Sequence, residues 1–159
     1  RRQITMTIFH SMNTTASALT AQRLRMDVIS SNIANVDTTR AKQVNGEWEP
    51  YRKKSVTFTE QQGQFSNFLN VAMGKTAKDG VGNGVKVSQI KEDTETPFKL
   101  TYDPTHPDAN AEGYVQQSNV DLLKEMTDLI SATRSYEANV TVFNANKSML
   151  TKALEIGKG

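Results

Sequence analysis

Cysteine is absent from the 159-residue sequence, which excludes disulfides, thiolate metal sites and any thiol nucleophile. Proline occupies four positions and tryptophan one, and only 7% of residues are aromatic and 36% hydrophobic. Average globular domains use roughly 45–50% apolar residues when glycine is counted, so a single copy carries a modest core. Charge of one sign is missing as well: 19 basic against 17 acidic side chains leave a net charge of +2. That balance argues against a nucleic-acid partner. No run is apolar enough for a transmembrane segment. The N-terminal RRQITMTIFHSMNTTAS lacks the apolar stretch and small-residue cleavage site of a secretory signal.

What the sequence does hold is helical periodicity at both ends. Over residues 8–36, Met12, Leu19, Met26 and Ile33 recur every seven residues, the spacing of one helix face. A companion set, Ile8, Thr15, Gln22, Ile29 and Val36, makes a second seam position with a polar middle. Asn35, a residue that tolerates left-handed backbone, lies near the expected end. A second helix is expected from about Val120 to Ile156, with Ser118 or Asn119 as its cap, Asp121 in its first turn and Gly157 as its stop. There Leu122, Leu129, Tyr136, Phe143 and Leu150 are seven apart, accompanied by Met126, Thr133, Val140, Lys147 and Leu154. A helix of about 37 residues runs about 55 Å at 1.5 Å per residue, longer than a domain of this size. It must bind something along its length.

Between the helices, nearly all the glycine and proline falls in residues 40–118, and the apolar period drops to two. Residues 54–59, 84–90 and 98–102 alternate as half-buried strands do, and Asn45-Gly46 before Trp48 suggests a hairpin turn. Phe65, Phe68, Leu69, Ala72 and Met73 suggest one short helix, and residues 75–84 a flexible loop. With apolar faces at Val56, Phe58, Val85, Val87, Leu100 and Tyr102, this middle is expected to hold its β structure on its own.

Candidate chemistry is sparse. Gly80-Val-Gly-Asn-Gly84 is followed by a strand, whereas a phosphate-binding loop opens a helix. His10 and His106 are far apart and have no close second ligand, so neither suggests a metal site. Asp103, His106 and Asp108 cluster in Tyr102-Asp-Pro-Thr-His-Pro-Asp108, a candidate for acid–base work that its two prolines make a better turn. Arg52-Lys53-Lys54 beside Tyr51 is a short basic run suited to a phosphate, an acidic surface or a solvated strand end. No catalytic residue, cofactor or small-molecule substrate is expected.

The stretch Ser17 to Thr39, SALTAQRLRMDVISSNIANVDTT, resembles the signature of the flagellar rod and hook proteins. Ser118-Asn-Val-Asp-Leu-Leu-Lys-Glu-Met126, Arg134-Ser-Tyr-Glu-Ala-Asn139 and Leu154-Glu-Ile-Gly157 resemble the C-terminal helix of the same family. Pro50 to Lys54, Gly84 to Ser88, Tyr102 to Pro107 and Gly113-Tyr-Val115 are similar to its short proximal-rod member.

The resemblance implies an α+β fold in which long N- and C-terminal helices pair as a coiled-coil-like inner layer beside a small β-rich central domain. It implies segments 1–39, 40–118 and 119–159 and a structural role as a proximal-rod subunit of the bacterial flagellar basal body. Such a subunit polymerises helically with copies of itself and with other rod proteins into the shaft that carries torque to hook and filament. It reaches the cell envelope through the flagellar type III export apparatus without a cleaved signal peptide. The expected assembly interface is Met12, Leu19, Met26, Ile29, Ile33, Leu122, Met126, Leu129, Tyr136, Val140, Phe143, Leu150 and Leu154. The periodicity alone also suits a cytoplasmic coiled-coil adaptor.

Overall fold

The structure, a computed structural model, describes residues 2–61, 72–73 and 82–157. Among the described residues, two long helices flank six short strands in chain order: α1 (Arg2–Ala34), β1 (Lys42–Val44), β2 (Glu47–Glu49), β3 (Lys54–Glu60), β4 (Val85–Glu92), β5 (Lys99–Tyr102), β6 (Tyr114–Gln117) and α2 (Leu122–Ile156). The fold is α+β, with packed terminal helices and antiparallel strands between them. The short helix expected around Phe65 to Met73 and the loop expected at residues 75–84 lie almost wholly outside the described residues.

Both helices end where local chemistry ends them. Asn35 caps α1 with its side chain, Nδ2 donating to the Ser31 carbonyl at 2.8 Å, and has no need of the left-handed backbone expected of it. The N-cap of α2 is Asp121, whose Oδ1 accepts from the amides of Leu123 at 3.1 Å and Lys124 at 3.3 Å. Ser118 and Asn119, the expected caps, are buried instead: Ser118 Oγ accepts from the Val120 amide at 3.3 Å, and the Asn119 side chain binds other segments of chain. Threonines within both helices return their hydroxyls to the carbonyl four residues back, as Thr15 does to Ser11 at 2.9 Å and Thr133 to Leu129 at 2.8 Å. A threonine satisfied in this way can face a neighbouring helix with its methyl group.

The chain forms two compact units. One comprises Arg1–Arg23, Phe58–Ser88 and Arg134–Gly159. In it Asn146 Nδ2 donates to Ser11 Oγ at 3.0 Å, and Ser17 Oγ accepts from the Val85 amide at 3.1 Å while donating to the Thr14 carbonyl at 2.6 Å. Gly84 makes this approach possible. Its φ is +99°, and a Cβ there would stand 2.3 Å from Ser17 Oγ.

The other unit comprises Leu24–Thr57 and Gln89–Thr133. Its parts of α1 and α2 run antiparallel, with Arg25 facing Asp128, Met26 facing Thr133 and Asn32 facing Glu125. Val28, Ile29, Tyr51, Val115, Val120 and Ala132 are its buried apolar side chains. Hairpin β1–β2 pairs Lys42 with Glu49 and Val44 with Glu47 across the expected Asn45-Gly46 turn, both of whose residues have positive φ. Hairpin β5–β6 pairs Lys99 with Gln117 and Tyr102 with Tyr114; β6 had no signal of its own in the sequence.

The strands form three separate two-stranded sheets. Leu100 and Tyr102, expected on a shared apolar face, are both 65% exposed, while Val56, Phe58, Val85 and Val87 are half-buried. Among the described residues of the middle segment, Tyr51 and Val115 are the deeply buried apolar side chains besides Pro50. Two-stranded sheets are marginal alone, so helices must complete the burial.

Gly84→Ala is expected to destabilise the chain by about 1–3 kcal/mol through the unfavourable φ and the clash with Ser17. Ser17→Ala in the same chain should relieve only the clash. Thermal unfolding of the two single variants and the double variant checks this, a strictly additive result counting against a direct contact.

Candidate assembly interface

In the unit formed by Leu24–Thr57 and Gln89–Thr133, polar side chains join the two helices directly, Asn32 to Glu125 and Arg25 to Asp128. Glu125, in the first turn of α2, is only 1% exposed. Its Oε2 accepts from Asn32 Nδ2 of α1 at 2.9 Å, and its Oε1 faces Lys53 Nζ at 2.5 Å. Asn32, also 1% exposed, holds the entry to β3: Nδ2 donates to the Lys54 carbonyl at 2.8 Å, and Oδ1 accepts from the Lys54 amide at 2.9 Å and Tyr51 hydroxyl at 3.0 Å. Asn119 repeats the device, accepting from the Lys53 amide at 2.7 Å and donating to the carbonyls of Asp93 at 3.1 Å and Thr96 at 3.2 Å.

The Ser-Asn-Ile-Ala-Asn and Ser-Asn-Val-Asp stretches thus meet through side-chain amides clamped on one strand. A buried carboxylate is tolerable because it is paired and hydrogen-bonded. The basic run is divided by this packing. Lys53 turns inward, Arg52 lies over the Phe98 ring at 4.2 Å, and Lys54 lies over Tyr51 at 5.6 Å.

Along α2, Glu125, Ala132, Asn139 and Asn146 recur every seven residues and are buried or half-buried. On α1, Thr15, Ala21, Val28, Ile29 and Asn32 are buried. Of the expected interface residues, Ile29 is buried within the chain, and Met12, Leu19, Met26, Ile33, Leu129, Tyr136, Val140, Phe143 and Leu150 are half-buried. Leu122, Met126 and Leu154 are exposed. Buried small and polar residues thus lie beside the apolar stripe on each helix. Their seven-residue spacing was readable, but nothing in a list of polar residues marked them as buried.

Large apolar side chains remain outside. In the same unit Leu122, Leu123, Met126 and Ile130 cluster over the first turns of α2, with Leu123 76% exposed. In the other unit Val142, Met149 and Ile156 are exposed at intervals of seven. None of these except Leu122 and Met126 was among the expected interface residues.

The Asp103–His106 cluster is occupied with shaping its own loop. Asp103 Oδ1 accepts from the amide of Thr105 at 3.1 Å and its hydroxyl at 2.7 Å, and His106 Nδ1 accepts from the Asp108 amide at 3.1 Å. Hydrogen bonds from Thr105 hold the Asp103 carboxyl below its ordinary range. Asp108 is bound by the Arg40 guanidinium and by Thr39 Oγ1 at 2.7 Å, and these bonds, Arg40's foremost, lower its pKa from the ordinary 3.8. Among the described residues, no helix is long and apolar enough to cross a membrane.

A helix pair joined by small and polar groups, with apolar faces turned outward, defines a structural protein built for assembly. A family model described as flagella basal body rod protein matches residues 12–42, and one described as flagellar basal body rod FlgEFG protein C-terminal matches residues 111–156. The chain is 67% identical to the flagellar basal-body rod protein FlgC of Bacillus subtilis over 153 residues, covering 96% of this chain and 100% of that protein. It is 44% identical to FlgC of Borreliella burgdorferi, with 97% of this chain and 100% of the relative covered. It is 37% identical to FlgC of Salmonella typhimurium, at 96% and 100%. The chain belongs to the flagellar basal-body rod protein family, and within it to the FlgC type.

Glu125→Ala should destabilise the purified chain by about 3 kcal/mol, since it strands Lys53 beside a cavity. The apolar replacement of both partners, Lys53→Met with Glu125→Leu, should cost less. Urea denaturation measures both, and equal losses would show that the charge pair is not the cause.

A pH titration offers a separate check. Because the folded-state pKa of Asp108 is lowered, its contribution is present above the unfolded carboxylate range and is lost as pH falls through the lower folded value. Carbon-13 NMR of the Asp108 carboxyl should therefore titrate below the ordinary 3.8. In an Arg40→Met variant that midpoint should move upward.

Proposed function

We propose that this chain is a structural subunit of the proximal rod of the bacterial flagellum, which polymerises helically with copies of itself and other rod proteins to carry motor torque outward. The observation that carries the reading is the division of side chains on α2: Glu125, Ala132 and Asn146 are buried, while Leu123, Met126, Ile130, Val142, Met149 and Ile156 are exposed. A soluble adaptor that ends in a closed oligomer needs one such face. A subunit of an open helical polymer needs several, because heterologous contacts that do not close into a ring leave every subunit with neighbours on more than one side. The polar joint also weakens the isolated helix pair relative to an apolar one, which suits a subunit that must stay unpolymerised until it is exported. Export through the flagellar type III apparatus without a cleaved leader belongs to the same reading and rests on the family membership.

The expected interface residues divide between two tasks under this proposal. The half-buried stripe Leu129, Tyr136, Phe143 and Leu150 supports the chain's own packing and presents its remaining edge to neighbours. Leu122, Met126 and Leu154, together with Ile130 and Met149, are free to be covered by them. Substitution at Leu129 thus mixes loss of fold with loss of assembly, whereas Ile130, 55% exposed, separates them.

Ile130→Lys should leave thermal stability within about 0.5 kcal/mol but stop rod assembly. Losing a buried isoleucine at each contact and desolvating an ammonium removes about 3 kcal/mol per interface, roughly a hundredfold in each addition step. Lys124→Ala, on an exposed position of the same helix, should be silent. Soft-agar swimming and recovery of basal bodies from complemented cells measure both. Normal rods containing the Ile130→Lys protein would remove Ile130 from the interface.

A further inference from the structure

Hairpin β1–β2 separates two hollows of opposite character, both within the unit formed by Leu24–Thr57 and Gln89–Thr133. The first, about 330 Å³, is lined by Glu47, Trp48, Asp108, Tyr114 and Gln116 among others, with no cationic side chain in its wall. The second, about 440 Å³, is lined by Arg40, Lys42, Arg52 and Lys54, with Glu92 as its carboxylate. Lys42, paired with Glu49 across the hairpin, lines the second hollow, whereas the neighbouring Glu47 and Trp48 both line the first.

Most of these charges are already matched within the chain: Arg40 by Asp108, Lys42 by Glu49 and Glu92, and Arg52 by Glu49. Two lack a matching charge. Among the described residues, Glu47 in the first hollow and Lys54 in the second have no ion-pair partner. Trp48 is 54% exposed and Tyr114, whose ring meets that of Tyr102 edge to face at 5.3 Å, is 41% exposed, so aromatic surface stands open beside Glu47. A desolvated cation over such rings is attracted by their quadrupoles, and tryptophan and tyrosine are enriched at interface centres.

We propose that the hairpin carries a head-to-tail contact between two copies of this chain, in which Lys54 of the partner subunit enters the hollow formed by Trp48, Glu47 and Tyr114. A heterologous contact needs two different complementary surfaces on one molecule, and the two hollows beside the hairpin are such a pair. The inference rests on the polymerising role proposed above and assigns to it a contact distinct from the helix faces.

Trp48 is the sole tryptophan, so its emission reports this hollow alone. In a concentration series of the purified full chain, sedimentation equilibrium and Trp48 fluorescence should change together. Glu47→Lys and Lys54→Glu should each weaken self-association at least about tenfold, and the double variant should recover most of it by reversing the pair. Glu47→Gln and Lys54→Gln, which change no shape, should weaken it less, and far-UV circular dichroism should stay the same throughout. A double variant no better than either single one, or association that leaves Trp48 emission unchanged, would overturn the proposal. Basal-body recovery distinguishes the two levels: wild type missing from rods defeats the rod reading, whereas wild type and both charge reversals incorporated alike defeat this contact alone.

Discussion

A carboxylate held away from water at the joint of two helices is the constraint around which the chain is arranged. Glu125 is tolerable there only because Lys53 and Asn32 reach it, and each of those residues comes from a different segment. Lys53 can reach it only if residues 51–54 lie against the helices, and Asn32 and Asn119 hold that segment by its backbone. N-terminal helix, strand and C-terminal helix must therefore arrive together. Such a network is strongly directional, and half-made it is worse than none, which rules out neighbouring registers of the helix pair.

The same arrangement leaves the protein with little apolar burial of its own. Buried side chains include Thr15, Asn32, Ser118, Asn119, Glu125 and Asn146 beside Ala21, Val28, Ile29, Tyr51, Val115, Val120 and Ala132. Polar groups secure geometry more than free energy, since a hydrogen bond nets only about 0.5–1.5 kcal/mol against its lost water contacts. Apolar area not used inside is available outside. A rod subunit in the FlgC type gains from this division, because its lowest free energy is then reached in the polymer.

The middle of the chain illustrates how a local pattern misleads. Alternation at Lys54–Glu60 and Val85–Glu92 marked strands correctly, and Asn45-Gly46 marked its turn. Alternation also suggested an apolar face on each strand, yet Leu100 and Tyr102 are both 65% exposed. Pattern reports which residues share a face of a strand, and only the assembled chain decides whether anything covers it. The Asp103, His106 and Asp108 cluster shows the same limit, its catalytic residue types being spent on loop hydrogen bonds.

The sequence by itself determined the two terminal helices, the α+β class and, through its motif stretches, the rod family, because a seven-residue period and short local signatures are properties of neighbouring residues. The tertiary structure decided which line of each helix faces inward. Stripes of leucine and methionine announce a buried seam, but the buried side chains that cross between the helices include Glu125, bound to Asn32 in one unit, and Asn146, bound to Ser11 in the other. Whether a glutamate can be buried depends on a lysine 72 positions away and an asparagine 93 positions away. No local period encodes partners at that separation.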